Sequence, residues 1–409
     1  MAQRTLFVFA HVSQGWVPAG RLSLTQTGHA VEASSFAYGT RYLERADAFE
    51  VDPVSLSLAH KASVRGVALF PVNQLPQFGG IRDAAPDAWG RRVLEAQARV
   101  PANSLPEADY LLGAGSDRIG ALDVREALGS PPQPGAAPIR SLAYLQEASE
   151  RIEQGLPVPS RLTDVFAAGS TVGGARPKAS VRDETGVLWL AKFAATGDAF
   201  NMAQAECSTL QLARRCGLTV PELRVHDLGG KPVLLVQRFD RVTQDSSTQD
   251  RVTQGKTEQR LPFVSGLTLV ACDELASRTK GYGDLAQAIR QHVAPSQIRA
   301  DTEELFARMV FNIFVSNDDD HLRNHGFVRD PQLPGWRLSP LYDVVPRPSV
   351  AFERQLQQLE RKRTRLAAEQ ARQFSGHYSQ VCHHLALAND RQYSGGLASY
   401  LQNLAERGH

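Results

Sequence analysis

Ser316-Asn-Asp-Asp-Asp-His-Leu-Arg-Asn-His-Gly-Phe327 sets Asp319 and Asn324 five residues apart, and Leu338-Ser-Pro-Leu-Tyr-Asp343 brings a further acid nineteen residues after Asn324. A carboxylate at Asp319 would orient or deprotonate an attacking hydroxyl. The Asn324 amide oxygen and the Asp343 carboxylate are hard ligands suited to Mg²⁺. A metal held there neutralises the phosphate charge that grows in a transition state. The plain alternative is a polar loop between two helices, with acids that only cap or meet solvent.

An Asp, an Asn five positions on and a separate metal-binding Asp are the spacing of kinase catalytic loops. Such a loop needs a lysine upstream, on a strand beneath the phosphates. Val187-Leu-Trp-Leu-Ala-Lys-Phe193 reads as a short buried strand with Lys192 as its one charge. A lysine in an apolar run needs an anionic partner, unless it lies on an edge strand and snorkels to water. Glu206 follows fourteen residues later, within Phe200 to Cys216. Met202, Ala205, Thr209, Leu212 and Ala213 fall at helical spacing and are expected to line that helix's inner face. Gly217 is a plausible stop. A strand Lys paired with a Glu of the next helix is a kinase arrangement, although surface helices also carry many glutamates.

Ahead of the lysine lies Gly169-Ser-Thr-Val-Gly-Gly-Ala-Arg-Pro-Lys178. Gly173 and Gly174 let the backbone turn tightly and approach phosphates. Arg176 and Lys178 add positive charge, and both are expected to face the nucleotide. The loop fits neither the Walker pattern nor the usual kinase glycine spacing, so an ordinary turn is a competing reading. Pro232-Val-Leu-Leu-Val-Gln-Arg-Phe-Asp240 fits a strand running into a crossing at Gln237 to Phe239, or a buried strand followed by a charged turn.

In order and spacing these segments resemble the HipA family of serine/threonine kinase toxins from type II toxin–antitoxin systems. The likeness rests on Gly-Gly-Ala-Arg-Pro-Lys178, Leu-Ala-Lys192-Phe, Ala-Glu206-Cys, Val-Gln-Arg-Phe-Asp-Arg241, the Asn317–Phe327 loop and Leu-Tyr-Asp343. Asp83-Ala-Ala-Pro-Asp-Ala-Trp-Gly-Arg-Arg-Val-Leu94 and Tyr110 to Asp123 extend it towards the amino terminus. It runs from about Leu6 to Asp343. The resemblance implies that Asp319 is the base, and that Asn324 and Asp343 hold Mg²⁺. It places Gly173, Gly174, Ala175, Arg176, Pro177, Lys178 and Lys192 on the ATP phosphates. Gln237, Arg238 and Phe239 would meet adenine, and His321, Leu322, Arg323 and Tyr342 would border the nucleotide. Glu206 supports Lys192. The family's regulatory autophosphorylation serine falls on Thr171, with Ser170 beside it. The implied partners are a DNA-binding antitoxin and a protein substrate, with DNA reached only through the antitoxin. Two other readings stay open. One is a small-molecule kinase of related fold. The other is a non-catalytic module that binds an antitoxin.

Composition agrees with a cytoplasmic enzyme. Of 409 residues 42% are hydrophobic and 22% charged, and the net charge of +2 gives no global drive towards nucleic acid or membrane. The run Arg361-Lys-Arg-Thr-Arg365 reads as a solvated helix face. Cys207, Cys216, Cys272 and Cys382 form no Cys-x-x-Cys pair, which argues against a zinc ribbon and suits a reducing compartment. The start reads as a first strand, not a signal peptide, and no run reaches the roughly 18 apolar residues of a membrane span.

The expected fold is α+β. It has a β-rich amino-terminal region over 1–125, a mixed kinase-like small lobe over 140–240 and a mostly helical large lobe over 260–409. Leu6 to Ala59 should form a β-meander around Gly20, Gly28 and Gly39. Helices are expected over Ala85 to Ala98, Ser141 to Gly155, Glu303 to Val315 and Phe352 to Phe374. Asp240 to Gln259 repeats Asp-Arg-Val-Thr-Gln and should be a mobile surface loop.

Overall fold

Period-two alternation decides the first sheet. The computed structural model describes residues 2–13, 15–133, 135–160, 162, 174–198, 201–244, 257–333 and 335–346. Strands β1 (Ala2–Val12), β2 (Gly15–Thr27), β3 (Ala30–Tyr38) and β4 (Leu122–Arg125) form an antiparallel sheet in the order β3-β2-β1-β4. Leu6, Val8 and Ala10 of β1 are fully buried on one face, with Leu22, Leu24 and Phe36 in the same core. Gly28 closes the β2–β3 turn at φ +61. Gly20, expected among the meander's turns, lies inside β2 instead: a Cβ there would stand 2.3 Å from the Phe36 ring. Its glycine serves close packing, a need the sequence does not distinguish from a turn.

The second sheet contains β5 (Ala137–Pro138), β6 (Lys178–Arg182), β7 (Leu188–Lys192), β8 (Leu223–Leu228) and β9 (Lys231–Gln237), in the order β5-β6-β7-β9-β8. Alternation sends Ala179, Val181, Trp189, Ala191, Val233 and Leu235 to one face, where the Leu142–Glu153 helix contributes Leu142 and Leu145. Leu190, Leu234 and Val236 point the other way, onto Ala203 and Cys207 of the Met202–Arg215 helix. By the same parity Lys178 and Lys192 belong to that second face. The helix buries Ala203, Glu206, Cys207, Thr209, Leu210 and Ala213. Leu212, expected inside, is 48% exposed. Met202 and Ala205 are only half-buried. Choosing inward positions by apolarity alone skips Glu206, and one skipped position rotates the whole stripe.

Strands β10 (Arg241–Gln244) and β11 (Thr257–Arg260) pair antiparallel at the ends of the polar repeat. Asp240 and Arg241 there are buried, so the start of the expected surface loop is core. Residues 245–256 lie outside the described set, as do the expected Phe352–Phe374 helix, the 361–365 basic run and Cys382. The large lobe over 260–409 is expected to be mostly helical. It contains the helices Gly266–Leu269, Tyr282–His292 and Ile298–Phe314, with two short strands between later loops. Strands β12 (Phe263–Ser265), β13 (Gly326–Arg329) and β14 (Trp336–Leu338) form a small sheet, and Val264, Leu267, Leu285, Ile289, Leu305, Phe327 and Trp336 share one core. The fold is α+β, as expected. Among the described residues no helix is long and apolar enough to cross a membrane.

Candidate functional site

The loop after the Ile298–Phe314 helix is set by how that helix ends. Ser316 takes the left-handed conformation at φ +55. The Asn317 amide donates to the Asn312 carbonyl at 2.9 Å and the Ser316 amide to the Ile313 carbonyl at 3.1 Å. This is a Schellman ending with serine where glycine is usual, and such strain gathers at functional sites. Behind the loop, Asp320 is almost fully buried. It accepts from the Tyr282 hydroxyl at 2.6 Å and pairs with His325 Nε2 at 2.9 Å. The Asn324 amide nitrogen donates to the Asp319 carbonyl at 2.8 Å. The Asp319 side chain is exposed and makes no hydrogen bond to the described residues. Of these neighbouring acids, Asp320 anchors the loop and Asp319 keeps its carboxylate available.

Across from the loop, Lys178 of β6 stands opposite Lys192 of β7. Two like charges directly opposite repel. The helix and the Leu341–Asp343 segment answer with carboxylates. Lys192 Nζ lies 2.5 Å from Glu206 Oε1 and also contacts Asp343 Oδ1. Burial alone would lower the Lys192 ammonium, but Asp343 and Glu206 outweigh it and hold the group protonated above its ordinary range. Burial pushes Lys178 down. Burial also pushes the Glu206 carboxyl up, against the attraction of Lys192. The same effect at Asp343 is overcome by Lys192 and Lys178, which keep it ionised well below the usual carboxylate range. Asp343 remains 34% exposed and sits at φ +55.

The other expected site residues fall around this cluster. Gly174 adopts φ +101, a conformation that favours glycine, and Lys178 Nζ would lie 2.2 Å from a Cβ placed there. Ala175 is exposed, and the Pro177 carbonyl accepts from the Phe193 amide. Arg176 turns away from the lysines to pair with Asp198. Gly173, Ser170 and Thr171 lie outside the described residues. Gln237 ends β9 half-buried. Phe239 stacks on Tyr342 with ring centroids 5.6 Å apart. The Tyr342 hydroxyl donates to the Arg323 carbonyl at 2.7 Å. His321 is exposed, whereas Leu322 is buried in the core.

Arg238 does not face this cleft. Its guanidinium is buried against Asp240, which also accepts from Arg241 and from the Gly120 amide at 2.6 Å. Arg238 and Arg241 both donate to the Arg118 carbonyl as well. Burial would raise the Asp240 carboxyl, but the two arginines hold it well below its usual range. At the crossing, therefore, the Arg238 side chain is committed to this buried cluster, and its amide donates to the Leu188 carbonyl at 3.0 Å. Asp87 and Trp89 are site neighbours that carried no role in the sequence reading. They were visible only as part of Asp83 to Leu94.

Asn324 and Asp343 are the candidate metal ligands. Among the described residues no group of three or more His, Cys, Asp or Glu is assembled around a cation. Two protein oxygens suffice for Mg²⁺, which keeps several waters and takes substrate phosphates as its other ligands. With its amide nitrogen on Asp319, Asn324 has its oxygen left for such a role. The donor chemistry fits the ion.

Comparison with known proteins fixes the family. A sequence model of the HipA-like C-terminal domain matches residues 170–405. The chain belongs to this family. Among relatives, Y4mE of Sinorhizobium fredii, described as a candidate kinase, is 26% identical over 339 residues, 76% of this chain and 71% of the relative. A candidate kinase of Haemophilus influenzae is 26% identical over 149 residues, 35% of this chain and 41% of its own. Among solved structures, HipA of Shewanella oneidensis, in a complex with HipB and operator DNA, superposes with a TM-score of 0.58. It is 18% identical, covering 83% of this chain and 76% of the other. That likeness is one of fold.

Proposed function

We propose that this HipA-like protein is a kinase that transfers the γ-phosphoryl group of ATP to a serine or threonine hydroxyl of a protein. The observation that carries the reading is Lys192 held between Glu206 and Asp343, together with an exposed Asp319 whose carboxylate makes no hydrogen bond to the described residues. Lys192 and Lys178 would attract and orient the phosphates. Gly174 lets the backbone come close to them. Phe239 and Tyr342 offer aromatic faces at the β9 crossing for a nucleobase. Asn324 and Asp343 would hold Mg²⁺, which supplies charge neutralisation at the phosphates. Asp319 would take the proton of the attacking hydroxyl as its oxygen bonds to phosphorus, the bond to the ADP oxygen breaks and ADP departs.

The relatives described as candidate kinases and the family itself support the reaction class. The Shewanella HipA complex contains HipB and operator DNA. By that analogy we assign this chain the role of a cytoplasmic toxin restrained by a DNA-binding antitoxin, with DNA met only through that partner. Labelled ATP, MgCl₂ and a cell lysate decide the activity. Transfer of label to a protein serine or threonine supports the reading. Absence of transfer to any protein, with label appearing on a small molecule or nowhere, overturns it.

A further inference from the structure

We propose that Asp87 is a positioning residue that clasps the Gly174 loop to the catalytic loop. Asp87 occupies the N-cap position of the Ala88–Ala98 helix, with extended backbone at φ −78 and ψ −172. Aspartate there normally accepts a hydrogen bond from the helix's own first-turn amides. Asp87 makes no such bond. Both of its oxygens are used on other parts of the chain. Oδ2 accepts from the Gly174 amide at 2.8 Å. Oδ1 accepts from Arg323 Nη1 at 2.6 Å. Arg323 lies between Asp319 and Asn324, and its second nitrogen is held by Glu274 Oε1 at 2.5 Å. One carboxylate thus spans the two walls of the candidate nucleotide cleft.

The neighbouring Trp89 closes the same grip. Its amide donates to the Gly174 carbonyl at 3.0 Å, so Gly174 is held at both its N–H and its C=O. The Trp89 indole Nε1 donates to the Lys178 carbonyl at 2.9 Å, and the ring is wholly buried. These bonds hold the backbone on either side of the Gly174–Lys178 turn, where Lys178 Nζ lies close under Gly174. Phosphoryl transfer depends chiefly on positioning, and a displacement of about 1 Å can cost on the order of 10²-fold in rate. Asp87 touches neither substrate nor metal in this account. It acts through Gly174 and Arg323.

The inference rests on the kinase reading for its kinetic consequence, but the clasp itself has a test that needs no activity. Hydrogen exchange of the full chain reports the Gly174 amide directly. Asp87→Ala should speed exchange of the Gly174 amide about 10-fold or more, read in a peptide that begins several residues before it, by freeing an amide now bonded. Unchanged exchange there overturns the clasp, whatever the protein's activity. With ATP and MgCl₂, Asp87→Ala should raise KM for ATP and lower kcat/KM about 10²-fold. Asp87→Asn keeps an oxygen for Gly174 but loses the charge that meets Arg323, and should fall between. The Asp87→Ala, Arg323→Gln double variant should lose little more than the worse single variant, because both break one connection. Glu107→Gln is the structural control. It removes the charge that faces Arg91 of the same helix, in a contact that does not reach the cleft, and should lower the melting temperature without moving KM.

If Asp87→Ala does not fold, Asp87→Asn decides through the lost charge towards Arg323: wild-type KM and kcat/KM overturn the proposal. A loss of kcat/KM in Glu107→Gln equal to that in the Asp87 variants also overturns it, since general destabilisation would then suffice. A wild type that transfers no phosphate fails the kinase reading, while the exchange experiment still judges the clasp.

Discussion

Lys178 stands directly opposite Lys192 in the β6–β7 ladder, both on the face that receives Glu206. Two buried ammonium groups in that relation are tolerable only with carboxylates beside them. Asp343 contacts Lys192 and lies close to the Lys178–Gly174 turn. Charge balance thus ties strand, helix and the Leu341–Asp343 segment into one unit, ready to exchange a carboxylate contact for a phosphate.

Removing Lys192 tests that balance. Lys192→Met leaves Glu206 and Asp343 without their shared cation and should destabilise the protein by about 3 kcal/mol in urea unfolding. Phosphate transfer should fall about 10²–10³-fold, as for the loss of one preorganised electrostatic group. Full activity at wild-type stability would exclude Lys192 from the site.

The two neighbouring acids of the loop should separate cleanly. Asp319→Ala should lose about 10²–10⁴-fold in rate with an unchanged melting temperature. Asp320→Ala deprives Tyr282 and His325 of their acceptor and should cost about 1–3 kcal/mol of stability. An inactive but fully stable Asp320→Ala beside an active Asp319→Ala would move the base by one position.

Acid should weaken the protein through Asp117. Burial would raise this carboxyl, but Arg260, the Gly135 amide, Arg241 and Arg182 bring it from 3.8 down to about 2. A lowered folded pKa gives stability that is complete above the unfolded value and is lost as pH falls through the folded one. Asp117 should therefore contribute about 2 kcal/mol at neutral pH, lost between roughly pH 4 and pH 2. Melting curves of Asp117→Asn should start lower at neutral pH and fall less steeply in that window. An acid limb as steep as the wild type's would refute the assignment.

Self-phosphorylation should appear on Ser170 or Thr171. A phosphate adds about −1.5 to −2 charges beside Gly173-Gly174, and would compete with ATP for Lys178. Mass spectrometry after prolonged incubation with ATP and MgCl₂ should find it in the wild type and not in Asp319→Ala. Its absence from both, in protein that phosphorylates other substrates, counts against the switch.

Periodicity carried most of the fold. Alternation in β1, β7 and β9 and the helical spacing after Glu303 needed only the burial of apolar side chains. Spacing brought Lys192, Glu206, Asp319, Asn324 and Asp343 forward, because that chemistry fixes residue type and order along the chain. What stayed hidden depended on contacts distant in sequence. Asp87 looks like any helix cap until Gly174 and Arg323 are seen beside it. Asp240 and Arg241 look like surface polarity because their partners Gly120 and Arg118 lie some 120 positions away. Gly20 reads as a turn because its real constraint is the Phe36 ring.

The buried Asp240 has a consequence for how this lineage can be recombined. It takes hydrogen bonds from Gly120 on one side and from Arg238 and Arg241 on the other. The matched family region starts only at residue 170. A crossover placed between the two would make the buried aspartate and arginines depend on how a foreign backbone runs at positions 118 and 120, whose main-chain N–H and C=O groups are their partners. Gly120, Arg118 and the Arg238–Arg241 stretch therefore form a single packing unit. A chimera that respects only the boundary of the matched region cuts through it.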